Sequence, residues 1–290
     1  MDNKIFKRPL YKIAGKISKI LRNFQKREDD KLVKRKNELW DNLFKDNVFF
    51  EFKLTNDVKI NLYKDSVLSK LIYNGFEKEE TDYLYQVLNE GDVFLDIGAN
   101  VGLFALIASN LVGANGKVIC FEPSPLTFAR LAENVKLNDF KNIELKNIGL
   151  GETKDQLNFY LSENGHDAWN SFAPSQDNKL EKIIQVPVST LDIELQNVDK
   201  EKVSLVKMDV EGWEKFALKG GREFLINFSP IVMVEFTEEN TFNAGYSVHE
   251  IYDIMITFGY QWFTIKNGKL IEETKKLHYP YNNLIAIKKQ

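Results

Sequence analysis

Residues 93–102 read Val-Phe-Leu-Asp-Ile-Gly-Ala-Asn-Val-Gly, and this stretch decides the fold. Its first half is an apolar run that predicts a buried strand. The two glycines that follow predict a tight turn, after which a helix begins near Leu103. About twenty residues further on, a second apolar run ends in Glu122-Pro123. Strand, glycine-bearing turn, helix and strand in this order predict a parallel sheet with helices on both faces.

The turn and the acidic strand end together predict a site for S-adenosylmethionine. Gly98 and Gly102 carry no Cβ, so a ligand can approach the backbone closely. The helix start attracts an anion, and Asp96 suits the ammonium of a methionine moiety. Glu122 can accept hydrogen bonds from both ribose hydroxyls. The residues expected around the cofactor are Asp96, Gly98, Ala99, Asn100, Gly102, Glu122, Pro123, Asn147 and Ile148, the last two beside the adenine.

A dinucleotide site is the competing interpretation. Its fingerprint requires Gly-x-Gly-x-x-Gly, but Asn100 and Leu103 occupy the second and third glycine positions. Asp96 would also face a pyrophosphate unfavourably, because both are anionic. A strand, turn and helix without any ligand is the remaining alternative.

The bulk properties indicate a globular protein of a reducing compartment. The 290 residues are enough for one large α/β domain with extensions. The one cysteine, Cys120, lies in an apolar strand, so no disulfide framework is expected. There is no run of eighteen apolar residues and no apolar signal segment at the start. We therefore expect a cytoplasmic protein, with contact to the inner face of a membrane left open.

The N-terminal segment differs in charge from the rest of the chain. Residues 1–40 hold thirteen Lys/Arg and five Asp/Glu, an excess of eight positive charges, although the whole chain carries −3. Apolar residues at spacings of three and four from Phe6 to Phe24 predict an amphipathic helix. Residues 1–36 are thus expected to pack on the domain, to self-associate, or to contact an anionic membrane surface or other acidic partner. The uneven charge argues against a nucleic-acid binder.

The hydrophobic pattern predicts three regions. They are a basic helical arm over residues 1–45, a hairpin and helix over 46–92, and an α/β domain over 93–290. Two alternating runs flank Asn56-Asp57 and predict the hairpin, and a helix is expected over residues 79–88. Seven strands are expected in a mostly parallel sheet with an antiparallel last strand, at residues 93–97, 117–121, 143–148, 204–208, 231–236, 261–265 and 283–287. A polar loop over residues 162–178 sits between two ribbon strands at 157–161 and 182–188.

Three acids follow two of the later strands. Asp209 and Glu211 come after one predicted strand, and Glu235 lies at the end of the next. Carboxyl ends of parallel strands meet at one edge, so these acids are expected to crowd together as a general base or as ligands of a divalent cation such as Mg²⁺. Asp209 could instead cap the following helix. Lys207 either orients these acids or lies at the surface, and His166 in the long loop is a further candidate base.

These motifs resemble the FkbM-type family of S-adenosylmethionine-dependent methyltransferases. The resemblance rests on residues 94–102, on Phe121-Glu122-Pro123 and on residues 206–214, Val-Lys-Met-Asp-Val-Glu-Gly-Trp-Glu. Weaker similarities at residues 75–77, 190–192, 218–220 and 234–235 extend it over roughly residues 73–264. Trp213 departs from the family pattern, which more often has a small residue there. The basic arm lies outside the resemblance.

The resemblance implies a Rossmann-like, class I methyltransferase fold with the cofactor across the carboxyl ends of the strands. It also implies O-methylation of a hydroxyl on a sugar, glycan or secondary metabolite. The alternatives are an N- or carboxyl-directed methyltransferase on a small molecule, lipid or protein, and a non-catalytic cofactor-binding module recruited by the basic arm. Covalent pyrimidine methylation is excluded, because the one cysteine lies within a core strand.

Overall fold

A computed structural model of the chain describes residues 31, 34–162, 167–174 and 182–289. The chain divides into two units, residues 1–50 and residues 51–290. In the first unit, α1 covers residues 34–44. Its Trp40 and Phe44 rings meet edge to face with centroids 4.8 Å apart, and Phe44 meets Phe50 in the same way at 5.0 Å. The amphipathic helix predicted from Phe6 to Phe24 lies outside the described residues.

The strands and helices follow one another in the predicted alternation. The strands are β1 (Phe49–Lys53), β2 (Lys59–Tyr63), β3 (Val93–Ile97), β4 (Lys117–Phe121), β5 (Ile143–Lys146), β6 (Gly149–Leu150), β7 (Asp155–Leu161), β8 (Lys182–Ser189), β9 (Val203–Met208), β10 (Ile231–Phe236), β11 (Tyr260–Lys266), β12 (Lys269–Glu272) and β13 (Asn282–Lys288). The further helices are α2 (Val67–Tyr73), α3 (Lys78–Val87), α4 (Leu103–Val112), α5 (Pro125–Leu137), α6 (Leu191–Glu194), α7 (Glu214–Gly220), α8 (Arg222–Phe228), α9 (Glu238–Asn243) and α10 (His249–Thr257). Residues 167–169 and 200–202 form short 3-10 helices.

The main sheet has the order β12-β11-β13-β10-β9-β3-β4-β5 among the described residues. Strands β10, β9, β3, β4 and β5 are parallel, whereas β13 runs antiparallel to both β10 and β11. The strand order reverses between β3 and β9, so the crevice at their carboxyl ends is the expected ligand position. This is the strand arrangement of the class I, Rossmann-like methyltransferase fold, with an antiparallel last strand as predicted.

All seven predicted strands are present, and two details differ from the prediction. Strand β12 forms a hairpin with β11 at the edge of the sheet. Its pattern is mostly exposed, so it lacks the apolar alternation that reveals a strand. Strand β5 ends at Lys146 rather than at residue 148. Beyond it, Asn147 donates its amide to the backbone oxygens of Glu122 and Pro123 at 2.7 and 3.2 Å.

The burial of the core strands explains why they could be predicted from the sequence. Strand β3 is buried at all five positions, and α4 buries eight of its ten residues. Continuous burial on both faces is the property of strands inside a parallel sheet. Helix α5 begins with Pro125 after Ser124, whose hydroxyl accepts from the Thr127 N–H at 3.4 Å. The inserted strands form their own three-stranded sheet in the order β6-β8-β7. The antiparallel pair β7 and β8 is the predicted ribbon, whereas the short strand β6, which pairs parallel with β8, was not predicted.

None of the helices among the described residues combines the length and apolar character needed to cross a membrane.

Candidate active site

A cavity of about 650 Å³ opens at the carboxyl ends of β3, β4, β9 and β10. Its volume lies in the range of small-molecule and cofactor sites. The lining combines the turn after β3, the end of β4, the loop after β9 and residues 168–173 of the inserted segment. The strand reversal therefore coincides with this cavity, as expected for an open parallel sheet.

The turn after β3 is held to both neighbouring strands through its backbone. The N–H groups of Gly98 and Ala99 donate to the Phe121 oxygen at 2.9 and 3.1 Å. A Cβ on Gly98, which has φ +82°, would lie 1.8 Å from the Asp209 backbone oxygen. These N–H groups are therefore satisfied within the protein, and the small turn brings its backbone to the cavity rather than offering free donors.

Gly102 was predicted beside the cofactor, but the structure places it outside the cavity lining. Its φ is +98°, and an added Cβ would approach Leu131 Cδ1 to 2.7 Å. Leu131 belongs to α5, so the missing side chain at Gly102 lets α4 and α5 approach each other. Its role in the structure is helix packing.

Glu122 at the end of β4 is fixed by two backbone donors. Its Oε2 accepts from the Asn100 N–H and its Oε1 from the Ser124 N–H, both at 2.9 Å. The side chain is 5% exposed and borders the cavity together with Pro123 and Ile148. A carboxylate oxygen accepts more than one hydrogen bond, so both oxygens retain capacity for ribose hydroxyls.

Asn147, also predicted near the cofactor, does not line the cavity. Its amide braces the Glu122-Pro123 turn from behind through the two bonds described above. The sequence placed it at the correct strand end, but the direction of its side chain depends on this tertiary contact.

Asp96 lies in β3, is 1% exposed and does not line the cavity. Burial raises the pKa of its carboxyl to about 6, although the nearby Lys207 ammonium and the Ala105 N–H oppose this shift. Within the described residues, neither carboxylate oxygen of Asp96 has a partner that meets ordinary hydrogen-bond distance and angle limits. A buried carboxylate without such partners suits a cationic ligand group. Glu122 and apolar Ile148 line the cavity where ribose and adenine of S-adenosylmethionine would lie, and Asp96 behind them can act on the ammonium through its charge.

The three predicted acids do come together at the next two strand ends. One oxygen from each of Asp209, Glu211 and Glu235 lies within 4.8 Å of the others. We call these three residues the carboxylate cluster. Crowding of this kind is costly unless protons or a cation offset the charge.

Glu211 occupies a constrained position in the carboxylate cluster. Its φ of +52° is uncommon for a residue with a side chain. The Asn240 amide donates to its Oε2 at 2.5 Å, and the Ser171 hydroxyl donates to its backbone oxygen at 2.7 Å. Burial and the Asp209 carboxylate raise the pKa of Glu211 well above its usual value. Backbone strain held by such contacts is characteristic of functional positions.

Glu235 is 6% exposed and faces the cavity from the end of β10. Its Oε2 has no hydrogen-bond partner in the described part of the chain. Burial, followed by the charges of Asp209 and Glu211, raises the pKa of this carboxyl well above its usual value. The side chain is thus poised to bind a proton or a cationic group.

Lys207 proves to be a buried residue rather than a surface one. It is 5% exposed, and its Nζ lies 3.0 Å from Asp209 Oδ2 and 4.6 Å from the centre of the Phe104 ring. Burial alone would lower its pKa, but the carboxylates of Asp209, Glu77 and Asp96 outweigh burial and raise it. Lys207 is therefore a fixed positive charge that orients Asp209.

Glu77 and Tyr281 line the cavity but were not predicted as site residues, because they come from distant parts of the chain. Glu77 has φ +50° and accepts from the Tyr281 hydroxyl and the Asn283 amide, each at 2.9 Å. Burial raises its pKa to about 7, with Lys207 opposing the shift. Both Glu77 and Tyr281 line the cavity. The weak motif at residues 75–77 was the one signal in the sequence.

The helix after the carboxylate cluster begins without Asp209. The N-cap of α7 is Trp213, while Glu214 folds back to accept from the Val210 and Gly212 N–H groups at 3.0 and 3.2 Å. Trp213, which departs from the family pattern, packs against Phe172 and Phe216 with ring centroids 5.2 and 4.1 Å away. It does not line the cavity.

Two aromatic residues border the cavity, Trp169 from the inserted loop and Tyr281 from the loop before β13, and we call them the aromatic wall. Trp169 borders the cavity with 56% of its surface exposed, and Tyr281 borders it with 48% exposed. His166, the predicted imidazole base, lies outside the described residues.

The strand order, the turn after β3 and the acids at the strand ends define an S-adenosylmethionine-dependent methyltransferase. The family model of the methyltransferase FkbM domain matches residues 96–262, more than half of the chain. The chain belongs to this family. The model of the protein-L-isoaspartate(D-aspartate) O-methyltransferases also matches, over residues 16–175.

Two relatives are similar over about half of the chain. The 2-O-methyltransferase NoeI of Sinorhizobium fredii is 25% identical over 178 residues, which cover 57% of this chain and 72% of the relative. The hexuronic acid methyltransferase AglP of Haloferax volcanii is 30% identical over 146 residues, covering 50% and 56%. A crystal structure of methyltransferase FkbM from Methylobacillus flagellatus aligns with TM-score 0.44 and 14% identity, covering 76% of this chain and 54% of that one.

Proposed function

We propose that this protein transfers the methyl group of S-adenosylmethionine to a hydroxyl of a sugar. The observation that carries this proposal is the juxtaposition, in one cavity, of Glu122 on the cofactor side with the carboxylate cluster and an aromatic wall. A hydroxyl must lose its proton to become an acceptor, and a cluster of carboxylates supplies a base for it. NoeI and AglP, by their names, methylate a 2-hydroxyl and a hexuronic acid.

The cofactor side is assigned to the ends of β3 and β4. When bound, S-adenosylmethionine supplies an electrophilic methyl group on a positively charged sulfur. Asp96 attracts the ammonium of the methionine moiety, and Glu122 accepts from the ribose hydroxyls. The turn of Gly98, Ala99 and Asn100 permits close approach of the backbone, while Pro123 and Ile148 contact the adenine.

The acceptor side is assigned to the carboxylate cluster. Asp209, oriented by Lys207 at 3.0 Å, accepts the proton of the hydroxyl. Glu211 and Glu235 hold the hydroxyl in line with the methyl group, where alignment supplies much of the rate. The same three carboxylates have the oxygen ligands and spacing to hold a divalent cation such as Mg²⁺. In that arrangement they would stabilise the alkoxide through the metal.

The aromatic wall supports a sugar over a smaller acceptor. Trp169 and Tyr281 offer flat apolar faces with a polar edge, and the C–H face of a pyranose ring is apolar while its rim is hydroxylated. A site of this kind combines apolar contact with a few placed polar groups.

Methylation of a carboxyl group is the second candidate, favoured by the match to the isoaspartate methyltransferases over residues 16–175. The carboxylate cluster makes carboxyl methylation less favourable, because an anionic acceptor would meet like charges in the cavity. The further alternatives are methylation of a lipid, methylation of a small molecule that is not a sugar, and cofactor binding without catalysis. Turnover assays with each class of acceptor distinguish between them.

The proposed function is tested with methyl-¹³C-labelled cofactor and a panel of methyl glycosides, oligosaccharides and isoaspartyl peptides. We expect a new methoxyl carbon signal from a sugar, with turnover reduced about 100-fold or more in Asp209→Asn, the order of general-base contributions. Glu223→Gln is the matched control, since its side chain does not line the cavity. If the ¹³C label appeared in the isoaspartyl peptide and in none of the sugars, the sugar assignment would be refuted.

The basic arm and the domain borders complete the proposal. We propose residues 1–45 as an arm, residues 46–92 as a connection and residues 93–290 as the catalytic domain. The arm contacts an anionic membrane surface or a second copy of the chain through residues 1–36. Co-sedimentation with anionic liposomes, before and after deletion of residues 1–36, tests this, and equal sedimentation of both forms would contradict the membrane contact.

A further inference from the structure

The charge on the cavity wall is strongly one-sided. Apart from Glu122 on the cofactor side, five carboxylates line the cavity, namely Glu77, Asp209, Glu211, Glu235 and Glu239. Of the lining residues that the structure describes, Lys207 is the one with a positive charge. Its ammonium is already engaged, because it lies 3.0 Å from Asp209 Oδ2.

The unpaired oxygen of Glu235 indicates what the wall lacks. Its Oε2 is buried, has no hydrogen-bond partner in the described chain and belongs to a side chain that faces the cavity. A buried acceptor without a donor is costly, and a ligand that donates a hydrogen bond or carries a positive charge would satisfy it. A carboxylate or phosphate group placed at this position would bring no donor and would be repelled by the Asp209 carboxylate.

The neutral polar residues of the wall are suited to hydroxyl groups. Asn170, Asn243 and Thr237 line the same cavity, and the Thr237 hydroxyl is buried without a partner among the described residues. Amide and hydroxyl groups can both donate and accept, as sugar hydroxyls do. None of these side chains provides the paired cationic donors that recognise a carboxylate or phosphate.

We infer that the acceptor is a sugar that carries an amine or no charge, and that sugars bearing a carboxylate or phosphate are excluded. This inference rests on the proposed function, since it concerns the acceptor of that same reaction. It separates the chain from AglP, whose name specifies a hexuronic acid. Selectivity arises here from repulsion of the wrong acceptor as much as from attraction of the right one.

The test compares three sugars of equal size on the full chain saturated with S-adenosylhomocysteine. Methyl glucoside, glucosamine and glucuronate are titrated by ligand-observed NMR or calorimetry at constant ionic strength. We expect glucosamine and methyl glucoside to bind at least about tenfold more tightly than glucuronate, in line with the cost of like-charge contact. Glucuronate binding as tightly as the other two, or binding of none of the three, would overturn the inference.

A charge-reversal variant makes the test specific to the cavity. Glu239→Lys adds a cation to the wall and is expected to reduce the preference against glucuronate at least about threefold. Phe242→Lys is the matched control, because Phe242 lies on the same helix but is 67% exposed and outside this cavity. An equal effect of both variants would show that the selectivity does not arise in the cavity.

The two proposals fail in different experiments. If S-adenosylhomocysteine itself does not bind, the proposed function fails before any sugar is added. If it binds and a sugar is methylated, but glucuronate is accepted as well as methyl glucoside, the charge inference alone fails.

Discussion

Replacing Glu122 with Gln is expected to weaken cofactor binding while leaving the fold intact. In the native protein its two carboxylate oxygens accept from the Asn100 and Ser124 N–H groups at 2.9 Å. Gln keeps one acceptor oxygen and turns an amide donor towards the other N–H group. One buried N–H then lacks a partner, which costs about 1–3 kcal/mol of the free energy of unfolding.

The loss of cofactor affinity follows from the change in charge. Hydrogen bonds to an ionised acceptor contribute about 1.5–3 kcal/mol, against about 0.5–1.5 kcal/mol for neutral pairs. Two ribose hydroxyls that lose the ionised acceptor should therefore raise the Kd by roughly 10- to 100-fold.

Isothermal titration with S-adenosylhomocysteine measures the affinity, and chemical denaturation measures the stability of the same preparation. Glu144→Gln is the control, because this carboxylate on β5 pairs with Lys117 at 2.6 Å and does not line the cavity. A folded Glu122→Gln protein whose Kd stays within threefold of the native value would refute the ribose assignment.

Three further substitutions test the site from other directions. Gly98→Ala should destabilise the protein by more than about 3 kcal/mol, because its Cβ would lie 1.8 Å from the Asp209 oxygen. Gly91→Ala has a similar positive φ but no atom within 4 Å, so denaturation should show a smaller loss, and equal losses would contradict the packing argument. As the pH rises from about 4 to about 6, Asp96→Asn should gain stability relative to the native protein, by up to roughly 3 kcal/mol. The raised pKa of about 6 means that the folded state binds the proton more tightly, so the native protein loses stability as pH rises through this window; parallel pH profiles would refute this. Lys207→Met should cost about 3–5 kcal/mol at pH 8, because it leaves the partly buried Asp209 beside other carboxylates without a cation, and a stability loss under 1 kcal/mol in thermal or urea denaturation would contradict it.

The strands were predictable where burial is continuous. Strand β3 is buried at every position. An apolar run of that length, bounded by glycine, can be recognised as a buried strand from the sequence alone. Strand β12 was missed for the opposite reason, since an exposed edge strand needs no apolar pattern. The antiparallel last strand followed from the short connection before it, which leaves no room for a crossover helix.

The site was predictable where it is local in sequence. The acids at the strand ends lie at one sheet edge because parallel strands share their direction, so Asp209, Glu211 and Glu235 could be grouped from the sequence. Glu77 and Tyr281 could not, because 204 residues separate them and only tertiary packing brings the hydroxyl to 2.9 Å from the carboxylate.

Side-chain direction was the other property that local pattern did not reveal. Asn147 was predicted beside the cofactor, but its side chain braces the Glu122-Pro123 turn. Gly102 was also predicted there, but its missing side chain permits helix packing. The burial of Lys207 could not be predicted either, since a lysine in a strand is compatible with an exposed or a buried position until its partners are known. Only the contact with Asp209 decides between these environments.

The most direct test of the account is an isothermal titration of the full chain with S-adenosylhomocysteine, with and without Mg²⁺. We expect saturable one-to-one binding in both conditions, since neither Asp96 nor Glu122 belongs to the carboxylate cluster. An additional heat on titrating Mg²⁺ alone, absent from Glu235→Gln, would identify the carboxylate cluster as a cation site. Absence of saturable binding in both conditions would contradict the central claim that this cavity holds the methyl donor.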